Sequence, residues 1–264
     1  MKPLATADHS TFKEVRFVLT DMDETLTYHG RLAAGTYAAL ERLQQAGIVV
    51  IPVTAAPAGW CDQMARMWPV NGVIGENGGL FFKRGADGHS VIRTFWHADE
   101  DRLPISGQLK AIADHIFATI PEAVFAEDQP YRMTSIGFAQ PQDPAIREKI
   151  VAILRQAGAD TTINNLWVLG WLGGYNKLTM ARRILQQHYG LDIDATPEAV
   201  LYVGDSINDA PMFEFFRHSV GVSTVRQYLS DIPVPPNWIT SGPGGLGFVE
   251  AADAVIRARG AKVL

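Results

Sequence analysis

Cysteine is almost absent from this chain of 264 residues: Cys61 stands alone. That excludes an internal disulfide framework and a zinc site built from cysteines. Basic clusters are absent as well. Acidic residues outnumber basic ones 28 to 23, and no Lys/Arg run is longer than Arg182-Arg183. A nucleic-acid-binding face needs many clustered phosphate contacts, so none is expected. No apolar segment approaches the ~20 residues that span a bilayer, so no membrane association is expected. Met1 to Lys13 is mixed in character and lacks the apolar core of a signal peptide. Internal repeats and low-complexity tracts are also missing. What is present, 47% apolar and 19% charged residues, is the composition of a soluble globular protein, and a reducing, cytoplasmic compartment is expected. The length suits one large or two modest domains.

The most informative stretch is Phe17-Val18-Leu19-Thr20-Asp21-Met22-Asp23-Glu24-Thr25-Leu26-Thr27. Val15 to Thr20 reads as a buried parallel strand, too short for a helix and bounded by polar residues. In a doubly wound α/β sheet, ligands bind at the carboxyl edge of the strands. Asp21 and Asp23 would then sit together at a site mouth, where two close like charges favour a bound cation or a shared proton. Taken alone, Asp-x-Asp is also an ordinary turn, and glycosyltransferases use it to hold a metal–nucleotide.

The rest of the chain narrows this. Leu32 to Ala46 predicts a helix closed by Gly47. A strand from Ile48 to Thr54, a helix over Pro57 to Met67 and a short strand Val73 to Gly75 complete a parallel right-handed α/β unit. After about Phe82 the pattern changes. Residues 91–96 and 132–139 read as strands, Ile105, Leu109, Ile112 and Ile116 follow helical spacing, and so do Ile146, Ile150, Ile153 and Leu154. Thr161 to Leu172 reads as a strand or a hairpin turning at Asn164-Asn165. These residues form an inserted α+β block, with Gly78-Gly79 and Gly173-Gly174 as candidate hinges. Parallel α/β character resumes with a helix from Lys177 to Tyr189, a strand over 199–203, the loop Gly204 to Asp209, a helix from Pro211 to Phe216, a strand over 219–222 and a closing helix from Phe248 to Arg259. The fold class expected is therefore α/β, a Rossmann-like parallel core (1–82 and 176–264) with an inserted α+β cap (83–175).

Strand ends at Asp21/Asp23, Thr54 and Asp205 would meet on one edge of such a sheet. Asp209 adds a further carboxylate across a tight loop. Hard oxygen donors without matching Cys or His point to Mg²⁺. Lys177 opens its helix, where a cation meets the positive end of the macrodipole, unfavourable by roughly 0.3–1 kcal/mol if exposed. A carboxylate cluster and a bound anion facing it would account for its place.

In this order, Asp-x-Asp-x-Thr-Leu-Thr, a strand-end Thr, a downstream Lys and Gly-Asp-Ser-x-Asn-Asp resemble the four signature motifs of the haloacid dehalogenase (HAD) superfamily. The long insertion between Thr54 and Lys177, and Glu76-Asn77-Gly78 before it, are similar to the subgroup with the large α+β cap (IIB type), which includes Cof-like and sucrose phosphatases and phosphomannomutase. The resemblance implies a Mg²⁺-dependent phosphatase acting on a small phosphorylated metabolite such as a sugar phosphate. It implies Asp21 as the nucleophile that forms an aspartyl-phosphate and Asp23 as the acid/base. Thr54, Ala55, Lys177 and Asn208 would bind the phosphoryl oxygens. Asp21, Asp23 (through its carbonyl), Asp205 and Asp209 would hold or orient the metal, and Glu76 and Asn77 would serve as substrate or hinge residues. A phosphomutase or phosphotransferase of the same fold, or a catalytically weak phosphometabolite-binding protein, is the alternative. The chain departs from these relatives in two places. Thr54-Ala55-Ala56-Pro57 replaces the commoner Thr-Gly-Arg-Pro, removing a guanidinium near the site, and Glu24 stands where Gly or Asp is usual.

Other signals carry less. Gly242 to Gly247 satisfies Gly-x-Gly-x-x-Gly, but a dinucleotide fingerprint needs a following βαβ unit, and a loop near the cap–core cleft is expected instead. Cys61 reads as a small buried residue, His29 as a solvated loop residue, and Asn164, Asn165, Trp167 and Trp171 as turn and packing residues. Phe213, Phe215 and Phe216 read as core. The oligomeric state is not legible.

Overall fold

The computed structural model describes residues 1–164 and 166–260. A two-residue edge strand (β1, Lys2–Pro3) precedes β2 (Phe17–Thr20), and a small hairpin follows (β3, Thr27–Tyr28; β4, Arg31–Leu32). Then come α1 (Ala34–Gln45), β5 (Val49–Pro52), α2 (Ala58–Met67), β6 (Val73–Gly75), β7 (Leu80–Arg84) and β8 (Val91–Phe95). The inserted block continues with α3 (Asp99–Thr119), β9 (Ser135–Ala139), α4 (Pro144–Gln156), β10 (Asp160–Ile163) and β11 (Trp167–Trp171). The chain closes with α5 (Lys177–Tyr189), β12 (Val200–Gly204), α6 (Ala210–Phe215), β13 (His218–Gly221), β14 (Trp238–Ile239) and α7 (Gly244–Ala258).

The main sheet runs β1-β14-β13-β12-β2-β5, with every pairing parallel. Its central strands are apolar throughout because both faces are covered. Val18, Val50, Leu201 and Val203 point to one face, under α1, α2 and α7. Phe17, Leu19, Ile51 and Tyr202 point to the other, under α5 and α6. The period of two along each strand thus produces two cores from one sheet. At the start of α5, Asn176 and Thr179 form a reciprocal capping box, and Gly190 ends the helix in the left-handed conformation at φ 64°.

The inserted block has its own core. Its antiparallel sheet, β10-β11-β9, carries α3 and α4 on one face, where Leu109, Ile116, Phe138, Ile150, Leu154 and Val168 are buried together. Along β11 the alternate residues Leu169 and Trp171 face the other way and pack with Tyr175 against Ala55 of the first unit. The β10–β11 hairpin is as expected, with the Asn164 carboxamide oxygen accepting from the Leu166 and Trp167 amides. Asn165 lies outside the described residues.

Three features differ from the sequence reading. β6 is not a full third strand of the parallel sheet: it joins through one bridge, Val53 to Ile74, and otherwise pairs antiparallel with β7. The reversal comes from Glu76, Asn77 and Gly78, all at positive φ (47°, 59° and 112°). β8 is hydrogen-bonded to β7, and its Val91 and Phe95 lie against the core of the main sheet, so a boundary after residue 82 cuts through β7. The closing helix starts four residues early, at Gly244, inside the Gly-rich run. A Cβ on Gly245 would lie 2.1 Å from Thr36 Oγ1, so glycine lets α7 approach α1. That segment packs on α1 and the β3–β4 hairpin and does not line the cleft. Among the described residues, no helix is long and apolar enough to cross a membrane.

One buried carboxylate ties the units together. Glu76 is fully buried and accepts from the amides of Ala58 (3.0 Å), Met133 (2.8 Å) and Thr134 (2.9 Å). It also accepts from the hydroxyls of Thr134 (2.9 Å) and Ser135 (2.6 Å). Truncation to Glu76→Ala leaves several buried donors unpaired. The expected loss is about 3 kcal/mol of unfolding free energy, readable as a lower urea midpoint with an unchanged slope.

Candidate active site

Parallel pairing brings the chemistry to one edge. β2 ends at Thr20, and the Asp21 amide continues its ladder by donating to the Val203 carbonyl at 2.8 Å. Asp21 and Asp205 therefore leave neighbouring strands side by side. The carboxylate oxygens of Asp21, Asp205 and Asp209 approach within 4.8 Å of one another, all three residues buried. The Lys177 ammonium stands among them, 3% exposed, 2.7 Å from Asp21 Oδ1 and 2.7 Å from Asp209 Oδ1. Asn208 Oδ1 lies 3.4 Å from the same nitrogen.

The three carboxylates play different geometric parts. Both oxygens of Asp209 are committed: Oδ1 accepts from Lys177 and from the Tyr202 hydroxyl, and Oδ2 accepts from the amides of Asp205 (3.0 Å) and Ser206 (3.2 Å). Asp209 thus orients its neighbours. Asp21 uses only Oδ1, and Asp205 uses only Oδ1, which accepts from Thr25 Oγ1 at 3.3 Å. The second oxygen of each is without a partner among the described residues. Asp23, two positions on from Asp21, lines the cavity, and its carboxylate has no partner among the described residues.

The loop after β5 forms the opposite wall. Thr54 is buried, and its Oγ1 accepts from the Ala56 amide at 3.0 Å. Its carbonyl accepts from the Asn77 amide at 3.0 Å, so Asn77, like Glu76, braces the loop and does not line the cavity. Ala55 does line it. The loop lacks an arginine of its own, yet a guanidinium reaches it. Arg132, from the inserted block, donates to the Ala55 carbonyl at 3.1 Å and is held by Asp128 at 2.9 and 2.7 Å. Sequence reasoning missed Arg132 because nothing local marks it; only the packing of β9 and α2 on one loop brings it there. Glu24 adopts φ 55°, which explains a glycine preference at that position, and its carboxylate accepts from the His29 amide at 2.9 Å.

The cavity above these groups measures about 450 Å³. The core contributes Asp21, Asp23, Glu24, His29, Ala55 and Asp205 through Asn208, and the inserted block contributes Gln140, Ile163, Asn164 and Leu166. Asn164, read from sequence as a turn residue, is both turn and wall. Trp171 is buried and Trp167 half-buried, packed behind the wall. Cys61 is fully buried, and burial pushes its thiol pKa well up, as suits a packing residue.

Electrostatics show what the arrangement lacks. Burial raises the Asp21 pKa, Lys177 opposes this, and Asp209 adds to it. Asp205 is raised by burial, then by Asp21 and Asp209. Asp23 is raised to about 6, mainly by burial. Burial also works against the Lys177 charge, but Asp209 and Asp21 outweigh it and hold the ammonium protonated. Three buried carboxylates against one cation leave an excess of negative charge that a divalent cation would relieve. All-oxygen donors, two with a free lone-pair edge, suit a hard cation of this kind.

No protein-family model and no curated protein matches the sequence. Solved structures do match, across nearly all of both chains. A Thermoplasma acidophilum protein covers 92% of this chain and 99% of its own, at 19% identity and TM-score 0.72. A haloacid dehalogenase-like hydrolase from Bacteroides thetaiotaomicron covers 91% and 99%, at 15% identity and TM-score 0.71. The sucrose-phosphatase of Synechocystis, solved with sucrose and phosphate, covers 90% and 97%, at 16% identity and TM-score 0.63. The chain therefore has the fold of the haloacid dehalogenase-like hydrolases, a Rossmann-like core with the large α+β cap, as the four motifs implied.

A stability test follows from the charge excess. An unfolded Asp titrates near 4, whereas folded Asp23, Asp21 and Asp205 hold protons to higher pH. Their contribution to stability is full below the unfolded value and is lost as pH rises through 6 and beyond. His188 and His218 have lowered pKa values and act in the opposite sense. The informative comparison is therefore with Asp205→Asn at each pH. In EDTA, the melting temperature of Asp205→Asn minus that of wild type should increase from pH 6 to pH 8.

Proposed function

We propose that this protein is a Mg²⁺-dependent phosphomonoesterase that hydrolyses a small phosphorylated metabolite through an aspartyl-phosphate. The observation that carries the reading is the pairing of Lys177 with Asp21. One oxygen of Asp21 is fixed by the buried ammonium, while the other, like the second oxygen of Asp205, has no partner among the described residues. A carboxylate oriented in this way beside a cation is a nucleophile positioned for phosphorus.

In the proposed reaction, Asp21 attacks the phosphoryl group, and the alkoxide leaves as Asp23 gives it a proton. Asp23, ionised by that step, then takes a proton from water, which attacks phosphorus and releases Asp21 and inorganic phosphate. A pKa near 6 lets Asp23 exist in either protonation state close to neutrality, as both half-reactions demand. Lys177, the Thr54 hydroxyl, the Ala55 amide and the Asn208 carboxamide would receive the equatorial oxygens. Phosphoryl transfer depends chiefly on such positioning and charge neutralisation. Mg²⁺, held by the free oxygens of Asp21 and Asp205 with the Asp23 carbonyl, would supply electrostatic stabilisation of the transferring group. Asp209 orients this set, since its own oxygens are taken.

The inserted block from α3 to β11, which has its own core, is proposed as the cap. Its β11 face closes on Ala55, and Gln140, Asn164 and Leu166 wall the leaving-group side of the cavity. A cap so placed excludes water from the acyl-phosphate and selects the leaving group.

The test is phosphate release from a panel of phosphorylated metabolites, with Mg²⁺ and with EDTA. Release should require Mg²⁺, vanish in Asp21→Asn and fall at least about 100-fold in Asp23→Asn. Folded protein with Mg²⁺ that releases phosphate from no ester, with or without an acceptor alcohol, would sink the phosphatase reading and leave a binding role.

A further inference from the structure

The upper wall of the cavity is unlike a polyol site. Ile163, Leu166 and Ile207 line it and remain 44%, 55% and 47% exposed, so their apolar surface is covered by water unless a ligand covers it. The Tyr228 ring adds a fourth apolar surface. Polar groups are few there, and most are already engaged. The Asn164 oxygen is consumed by its own turn, and the Gln140 amide nitrogen donates to the Asn164 carbonyl. One donor group, Asn164 Nδ2, and one acceptor, Gln140 Oε1, are left without partners among the described residues. Lower down, Glu24 Oε1 accepts from the His29 amide and the Ser206 hydroxyl donates to Asn208, so the polar groups still open, Glu24 Oε2 and the His29 ring, lie toward the carboxylates and not on the upper wall.

A hexose would bring hydroxyls on every side into this space, and those facing Ile163, Leu166, Ile207 and the Tyr228 ring would lose water without gaining a partner. At about 450 Å³ the cavity is of a size that encloses a whole small molecule, not a phosphate group alone. We infer that the ester turned over here carries its phosphate on a flat, ring-bearing, largely apolar alcohol with a single polar edge. The ring lies between Ile163 and Leu166 of the inserted block and Ile207 and Tyr228 of the core, with its polar edge toward Asn164 and Gln140. The inference rests on the phosphatase reading and departs from the sugar phosphate that the family resemblance implied.

The experiment compares kcat/KM, in Mg²⁺, for benzyl phosphate, pyridoxal 5′-phosphate and glucose 6-phosphate. All three are esters of primary alcohols, so differences report recognition of the leaving group and not its intrinsic reactivity. The ring-bearing esters should exceed glucose 6-phosphate by at least about tenfold. Ile163→Asn and Leu166→Asn, at half-exposed positions where the fold tolerates change, should each reduce that ratio severalfold. Glucose 6-phosphate turned over as well as or better than the ring-bearing esters would overturn the inference while leaving the phosphatase reading intact. An unchanged ratio in both variants would also overturn it. No release from any of the three, nor from the wider metabolite panel, would remove both.

Discussion

The buried ion cluster of Asp21, Asp205, Asp209 and Lys177 is the constraint on which the rest of this structure depends. Buried charges survive only when paired and hydrogen-bonded. Here every element around them supplies a partner: Tyr202 from β12, the amides of Asp205 and Ser206 from the following loop, and Thr25 from the loop after β2. Asp209 is saturated and fixes Lys177; Lys177 in turn fixes Asp21. The remaining excess of negative charge lies on the oxygens that face the cavity. A site balanced internally would be inert, and one unbalanced at a buried wall would not fold. Placing the imbalance at the open edge lets the chain fold and leaves the excess charge where a cation can meet it.

A second constraint joins the two units. Glu76 reaches from the turn after β6 to α2 on one side and to residues 133–135 on the other, and Arg132 reaches back to the Ala55 carbonyl. Two charged groups, pointing in opposite directions across one junction, hold the loop after β5 and the inserted block in register. Gly79 lets the junction close, since a Cβ there would sit 2.1 Å from Thr134 Oγ1. The Gly78-Gly79 pair that reads in sequence as a hinge is in this arrangement a close contact. The loop that lacks its own arginine is held from outside.

Much of the core was legible from local pattern. Short apolar runs ending in Asp or Thr, each followed by an amphipathic segment and a glycine stop, specify parallel α/β units with little ambiguity, and the carboxyl-edge rule then gathers Asp21, Asp23, Thr54 and Asp205. Strand and helix limits shifted by a few residues. The larger errors, at β6, β8 and the start of α7, have a common cause. At each, backbone at positive φ or a close approach of glycine redirects the chain, and such choices depend on neighbours distant in sequence.

By itself, then, the sequence determined which residues carry charge and where strands must end, because burial periodicity and side-chain chemistry are local properties. It determined the motif order and hence the fold with its inserted block. Only the tertiary structure decided how those charges are divided: Asp209 saturated, Asp21 half-free, Glu76 turned into a brace, Arg132 delivered to Ala55. It alone decided that the upper cavity wall is apolar. Those outcomes depend on which hydrogen-bond partner lies within about 3 Å, a distance set by packing between segments far apart in the chain.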